Sequence, residues 1–184
     1  MGRKFISEEG GVYVTYYRPQ PDITPFDAVK TVIACAVAAH KTLIKYCACK
    51  IKWTNDILCG NKKICGILCE MLTESESVNY IIQGAGFNIN NNIPQSLNDI
   101  AQSLKQITGQ NINRAKFCAE FVYNLINCND MLFGGNFDNL LKYYKENCAT
   151  LNNNVTVSGK ESFNGYALDI DENGFLIVKT ESGI

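Results

Sequence analysis

The chain has 184 residues, 46% hydrophobic and 19% charged: enough apolar side chain for one ordinary domain with a small appendage, and too much for wholesale disorder. Lysine plus arginine number 17 against 18 aspartate plus glutamate, so bulk charge calls for no nucleic-acid or anionic-membrane partner. The longest uninterrupted apolar run, Val32 to Ala39, is far short of the ~20 residues that cross a bilayer, which points to a soluble, cytoplasmic protein.

In chain order, Gly2-Arg3-Lys4-Phe5 opens on a glycine and two cations. Gly10-Gly11 then leads into a strand over Val12 to Arg18, closed by Pro19 and Pro21. Thr24 as N-cap and Pro25 at the first helical position predict a helix to about Tyr46, its alanines suited to close packing on a sheet. A strand from Lys50 to Trp53, an apolar piece Ile57 to Cys59, a turn at Gly60 to Lys63, a strand Ile64 to Met71 and a long strand Val78 to Ile89 predict an antiparallel meander. Ser96 to Asp99 reads as a cap for a short helix ending at Gly109, and Asn113 as the cap of a longer one to about Leu132. A third helix is expected from Phe137 to Asn147. Short strands at Val155 to Val157, Gly165 to Leu168 and Phe175 to Lys179, with a turn at Asp171 to Gly174, read as a small β-barrel tail. The asparagine runs Asn90 to Asn92 and Asn152 to Asn154 read as loops without a functional role. The class is α+β, with domains at 1–150 and 151–184.

Nine cysteines contain no CxxC pair, and the single histidine, His40, adjoins none of them, so the expectation is reduced thiols acting as small hydrophobes and no metal site. The one histidine that could serve Cys65 and Cys69 as a base is His40, on a helix with Ala38 and Ala39, so they read as core thiols rather than nucleophiles.

Four segments carry possible chemistry. Gly2-Arg3-Lys4-Phe5 suits a loop that closes over a phosphate, or is a solvated basic terminus. In Lys52-Trp53-Thr54-Asn55-Asp56, alternation puts Lys50 and Lys52 on one face, where Lys52 would meet an anion if that face borders a cleft; otherwise it is an edge-strand lysine. Gly66, within Lys63-Ile64-Cys65-Gly66-Ile67-Leu68-Cys69-Glu70, marks close approach of a ligand or backbone, or a bulge. Gly84 and Gly86, in Gly84-Ala85-Gly86-Phe87-Asn88-Ile89-Asn90, expose backbone, and Asn88 offers both donor and acceptor. This GxG does not open a helix in a βαβ unit and is no dinucleotide fingerprint.

Together and in this order, the four segments resemble the catalytic domain of the biotin protein ligases, whose pattern runs through a GRxGR-K-(W/F) loop, K-W-P-N-D, K-(I/L)-x-G-I-L-x-E and G-(I/A)-G-x-N-x-N. The resemblance implies a class II synthetase-like fold, a mixed or antiparallel sheet with helices packed on one face, and an SH3-like C-terminal module. It implies a reaction in which ATP with Mg2+ activates biotin to biotinyl-5′-adenylate, and biotin then passes to a lysine of a biotin carboxyl carrier domain. By the match, Lys52 is the cation at the carboxylate and α-phosphate, and Arg3 and Lys4 close on the adenylate. Gly2 belongs to that loop, and Phe5 packs on the adenine or closes the pocket. Gly66, Gly84 and Gly86 let backbone reach the ligand, and Asn88 sits near phosphate and ribose. The resemblance also implies a possible homodimer through sheet edges. Two departures stand out: Thr54 replaces the family's usual proline, and the family's Ser-Thr-Asn strand, its glutamine and the repressor-type DNA-binding domain have no counterpart here. The expectation is therefore an N-terminally truncated catalytic domain with an incomplete C-terminal module, with activity of this chain left open. The alternatives are a lipoate–protein ligase-like enzyme and a non-catalytic ligase remnant.

Overall fold

The computed structural model describes residues 7–74, 77–159, 162–181 and 183. The expected basic loop, Gly2, Arg3, Lys4 and Phe5, lies outside the described residues.

β1 (Val12–Pro19) alternates buried and exposed positions, as β-branched and aromatic residues do on a half-covered sheet. β2 (Lys50–Lys52), β3 (Asp56–Cys59), β4 (Lys62–Glu74) and β5 (Ser77–Phe87) follow as a meander, and the sheet order is β1-β5-β4-β3-β2. Every pairing in it is antiparallel, so the expected mixed or antiparallel sheet is antiparallel among the described strands. β1 and β2 stand at opposite edges although they are neighbours in sequence. The element between them, α1 (Ala28–Leu43), has 16 residues and is about 24 Å long, enough to cross four interstrand gaps of about 4.8 Å each.

α1 lies behind the sheet, and residues 33–39 are buried on every side. A helix apolar all round needs cover on both flanks. The sheet supplies one side; α3 (Arg114–Phe133) and α4 (Phe137–Glu146) supply the other. The layers are joined by a buried polar bridge in which Gln83 Nε2 donates to the Thr31 carbonyl (2.8 Å) and Asn129 Nδ2 donates to Gln83 Oε1 (2.8 Å). His40 is also buried: Nε2 lies 3.1 Å from the Cys49 carbonyl and Nδ1 3.0 Å from the Tyr143 hydroxyl.

The strands β4 and Phe163–Ile170 run two or three residues longer at either end than expected, β5 stops at Phe87 rather than Ile89, and the helices depart from expectation by more than a residue at two places. Thr24 and Asp27 form a capping box around a 3-10 turn, Pro25–Asp27, so α1 begins at Ala28 and ends at Leu43 rather than Tyr46. The short helix α2 (Leu104–Thr108) is capped by Ser103 and Gln106, not Ser96 and Asp99, and ends on left-handed Gly109 (φ 71°). Asn113 caps α3 as expected, its side-chain oxygen accepting from the Lys116 N–H.

β6 (Asn154–Val157), β7 (Phe163–Ile170) and β8 (Leu176–Lys179) form a second, antiparallel sheet in the order β6-β7-β8. Its 171–174 turn docks on α1. Asp171 Oδ1 accepts from the Asn173 and Phe175 N–H groups, and Gly174 (φ 92°) faces Ile33 and Val29 with no room for a Cβ.

Candidate active site

Two adjacent registers cross all five strands and divide the sheet's faces. Ile51, Ile57, Cys65, Phe87 and Val12 are one row of paired residues, all buried against the helices. The next row, Lys52, Asp56, Gly66, Gly86 and Tyr13, points the other way, because strand residues alternate between faces. Two glycines at its centre leave a bare backbone floor. Over that floor lies a cleft of about 230 Å³. Tyr13 and Glu8 line one side of it, and Pro94, Leu97 and Ile100 the other. The second wall is tied to the sheet: the Lys63 N–H donates to the Ile100 carbonyl (2.8 Å) and the Gln102 N–H to the Lys63 carbonyl (3.0 Å).

Where the sequence pattern points to Lys52, the cation that lines this cleft is Lys63. Its side chain lies across Gly66, where a Cβ would come within 2.7 Å of both Lys63 Cε and Nζ. Nζ stands 2.5 Å from Asp56 Oδ1. That oxygen is out of solvent and has no aligned hydrogen bond, so the contact is a charge pair. The pairing of β3 with β4 shifts between Ile57 and Leu58: Ile57 faces Cys65, but Leu58 faces Lys63. The extra residue, Ile64, is buried like Cys65, and the bulge re-aims Lys63 from the core face to the cleft.

Lys52 occupies the end of the same row. It is exposed and is not among the cleft-lining residues, standing two strands, about 10 Å, from Gly66. The residues that follow it are tied down. The Trp53 N–H donates to Thr150 Oγ1 (2.8 Å), and its indole N–H to the Gly174 carbonyl (3.1 Å). The hydroxyl of buried Tyr144 donates to the Thr54 carbonyl (2.9 Å). Asn55 Nδ2 donates to the Ile67 carbonyl (2.7 Å), and the Ile67 N–H returns a bond to the Asn55 carbonyl (2.9 Å). Asn55 thus anchors the loop to β4 and spaces Lys52 from Asp56.

Gly66, Gly86 and Asn88 all line the cleft. Gly84 does not: it sits one alternation further along the open face, opposite Leu68, where an added Cβ would meet only the Leu68 carbonyl at 3.4 Å. The asparagine run read as a plain loop contributes more than expected. Asn90 exchanges two hydrogen bonds with the Ile112 backbone. Asn91, buried in the cleft wall, donates to Asn88 Oδ1 (3.1 Å) and leaves its own Oδ1 without a protein partner. The sequence signal for Asn91 was only its distance of three residues from Asn88.

All nine cysteines are free. Burial pushes the Cys65 thiol up, and that of Cys128 to about 11, so both stay protonated and inert near neutrality. Among the described residues no group of three or more His, Cys, Asp or Glu side chains could hold a metal ion, and no helix is long and apolar enough to cross a membrane.

Residues 2–88 match the biotin/lipoate A/B protein ligase family, and residues 150–184 match the biotin protein ligase C-terminal domain. The chain is 34% identical over 199 residues to the bifunctional ligase/repressor BirA of Bacillus subtilis and 33% identical to that of Bacillus spizizenii; the match takes in all of this chain and 58% of each relative's length. Among solved structures, the biotin protein ligase of Aquifex aeolicus in complex with biotin and ATP superposes with a TM-score of 0.85 at 24% identity, over 99% of this chain and 77% of that one. The Leishmania major biotin protein ligase in complex with biotin gives 0.65 at 19% identity, over 100% and 80%. These structural likenesses establish the α+β fold, and the two family matches in tandem, over residues 2–88 and 150–184, support a biotin protein ligase catalytic domain.

Proposed function

We propose that this chain is the catalytic part of a biotin–protein ligase that activates biotin with ATP and transfers it to a lysine of a biotin carboxyl carrier domain of acetyl-CoA carboxylase. The observation that carries the reading is the Lys63–Asp56 pair standing over the Gly66–Gly86 floor. In the first step a biotin carboxylate oxygen bonds to the α-phosphorus of ATP and pyrophosphate leaves. Two anions must meet, so a cation at the junction lowers the barrier. Lys63 is placed to serve there, held by Asp56 until the ligand arrives. Glycines 66 and 86 let the ligand rest on backbone where a Cβ would hold it off. Asn88 and Asn91 offer amide donors and acceptors to neutral ligand groups. Lys52, at the end of the row, adds positive potential from outside the cleft; Gly84 serves backbone packing beside it.

In the second step the acceptor lysine's amine attacks the acyl carbon of the mixed anhydride, the acyl–phosphate C–O bond breaks and AMP leaves. The anhydride must be kept from water meanwhile, a role we assign to Gly2, Arg3, Lys4 and Phe5 as a closing loop. Magnesium would come with ATP and offset phosphate charge; Glu8, which lines the cleft, or Asp56, in the row beside it, is the carboxylate that would face it. The match of residues 150–184 to a biotin-ligase C-terminal domain favours biotin over lipoate. A cytoplasmic site of action and a homodimer joined at the β1 edge accompany this reading. Incubation with biotin, MgATP and a carrier domain, read by intact mass, tests it: one biotinyl adduct on the acceptor is expected, and none when biotin is replaced by lipoate.

A further inference from the structure

We infer that the 171–174 turn of the second sheet is a positioning device for the cleft's ion pair, acting through Trp53; this deepens, and rests on, the ligase reading above. Trp53 and Gly174 touch no reacting atom in this arrangement. They lie at the far end of a short chain of contacts. The turn is rigid in itself, closed by Asp171 on the Asn173 and Phe175 N–H groups, and Gly174 is wedged against Ile33 and Val29 of α1. Phe175 packs edge-on against Phe26 (5.5 Å between centroids), and Asp169 pairs with Lys145 of α4 (2.9 Å). The turn therefore has a fixed place on the catalytic domain.

From that place the Gly174 carbonyl accepts the Trp53 indole N–H. The loop 53–55 is thereby held from the second sheet by Trp53, from α4 by Tyr144 on the Thr54 carbonyl, and from β4 by the two Asn55–Ile67 bonds. Asp56 is the next residue and the first of β3. Its carboxylate is the only ion-pair partner recorded for Lys63 among the described residues. A loop that shifts carries Asp56 with it and leaves the Lys63 ammonium off the floor.

The test compares variants of the full chain by biotin-dependent adenylate formation and thermal melting. Trp53→Phe keeps an aromatic ring and removes the indole donor. Its kcat should fall about tenfold to a hundredfold, the range expected for a catalytic group displaced by up to an ångström, while the biotin KM and the melting temperature stay close to wild type. Asn55→Ala loosens the same loop from the other side. Because both act on one three-residue unit, the double variant should lose less than the product of the single losses. Trp53 is the chain's one tryptophan, so Gly174→Ala, which crowds Ile33 and Val29, should change its emission spectrum in a protein that still melts cooperatively. Wild-type kcat in Trp53→Phe overturns the inference and leaves the ligase reading intact, as does a kcat loss that multiplies strictly with that of Asn55→Ala. A wild-type chain that forms no adenylate overturns both.

Discussion

Replacing Lys63 by alanine separates catalysis from stability in this fold. The Lys63 side chain is 42% exposed and that of Asp56 24%, so their pair is screened by solvent and should contribute no more than about 1 kcal/mol to folding. Removing the ammonium also leaves Asp56 in a half-open site that water can reach. The same ammonium, aimed at a junction where a carboxylate meets a phosphate, resembles a donor to developing charge, worth about 2.7–4 kcal/mol, or a hundredfold to a thousandfold in rate. Lys52→Ala should cost far less. Its backbone stands about 10 Å from Gly66, and charges that far apart on a surface are largely screened at about 0.1 M salt. Lys50, whose neighbour across the strands is Leu58 rather than a cleft residue, should cost less again. Biotin-dependent exchange of labelled pyrophosphate into ATP, measured for the three single variants alongside their melting temperatures, is the assay. Equal losses for Lys52→Ala and Lys63→Ala would refute the assignment drawn from the bulge at Ile64, as would near wild-type exchange in Lys63→Ala.

Gly66→Ala should lower exchange activity with little loss of stability, because the new methyl displaces the flexible end of Lys63 rather than backbone; a drop in melting temperature with normal activity would count against this. Asn91→Leu fills the cleft wall with an apolar side chain and removes an orphan acceptor, so the folded protein should be as stable or more so, by about 1 kcal/mol, while ligand affinity falls; titration calorimetry beside chemical denaturation reads both. Burial holds the His40 pKa below its ordinary 6.5. The unfolded chain therefore binds a proton that the folded one refuses, so stability should be flat above about pH 7 and fall as pH drops below about 6.5; His40→Gln should flatten that slope in urea melts at pH 5 to 8, and an unchanged slope would exclude His40 as its source. Tyr17, Leu68 and Leu72 are exposed on the open face, and Leu68→Lys with Tyr17→Lys should reduce concentration-dependent association in light scattering, without loss of exchange activity.

Much of the architecture could be read from local chemistry. Alternating β-branched and aromatic residues mark β1, the Gly60–Asn61 corner marks the β3–β4 hairpin, and Asn113 and Gly109 punctuate the helices. The error at α2 has a local cause: Ser96 with Asp99 and Ser103 with Gln106 both satisfy a capping pattern, and only the second stands where Leu104 can bury and donate its N–H to the Asn88 carbonyl. The site was half legible. Gly66, Gly86 and Asn88, which line the cleft, could be singled out because a glycine inside a strand and an asparagine at its end are informative on their own. Lys63 was not legible. Strict alternation places it on the same face as Cys65, in the core, and next to Gly60 and Asn61 it reads as part of a turn. The bulge that sends it to the cleft is a property of how β3 pairs with β4, and no spacing within β4 reveals it. Lys52 shows the converse: alternation gave its face correctly, but its distance from the floor depends on the order of strands across the sheet. The anchoring of Trp53 by Gly174 joins residues 121 apart and is likewise a tertiary fact.

The central claim is that the backbone floor at Gly66 and Gly86, with Lys63 above it, joins biotin to AMP. The most direct measurement is quenched-flow mass spectrometry of the protein mixed with biotin, MgATP and inorganic pyrophosphatase, without any acceptor. The account predicts biotinyl-5′-adenylate bound to the protein in amounts approaching one per active site, and at least a hundredfold slower formation in Lys63→Ala. Hydrolysis of ATP independent of biotin, or adenylate forming equally fast in Lys63→Ala, would contradict it.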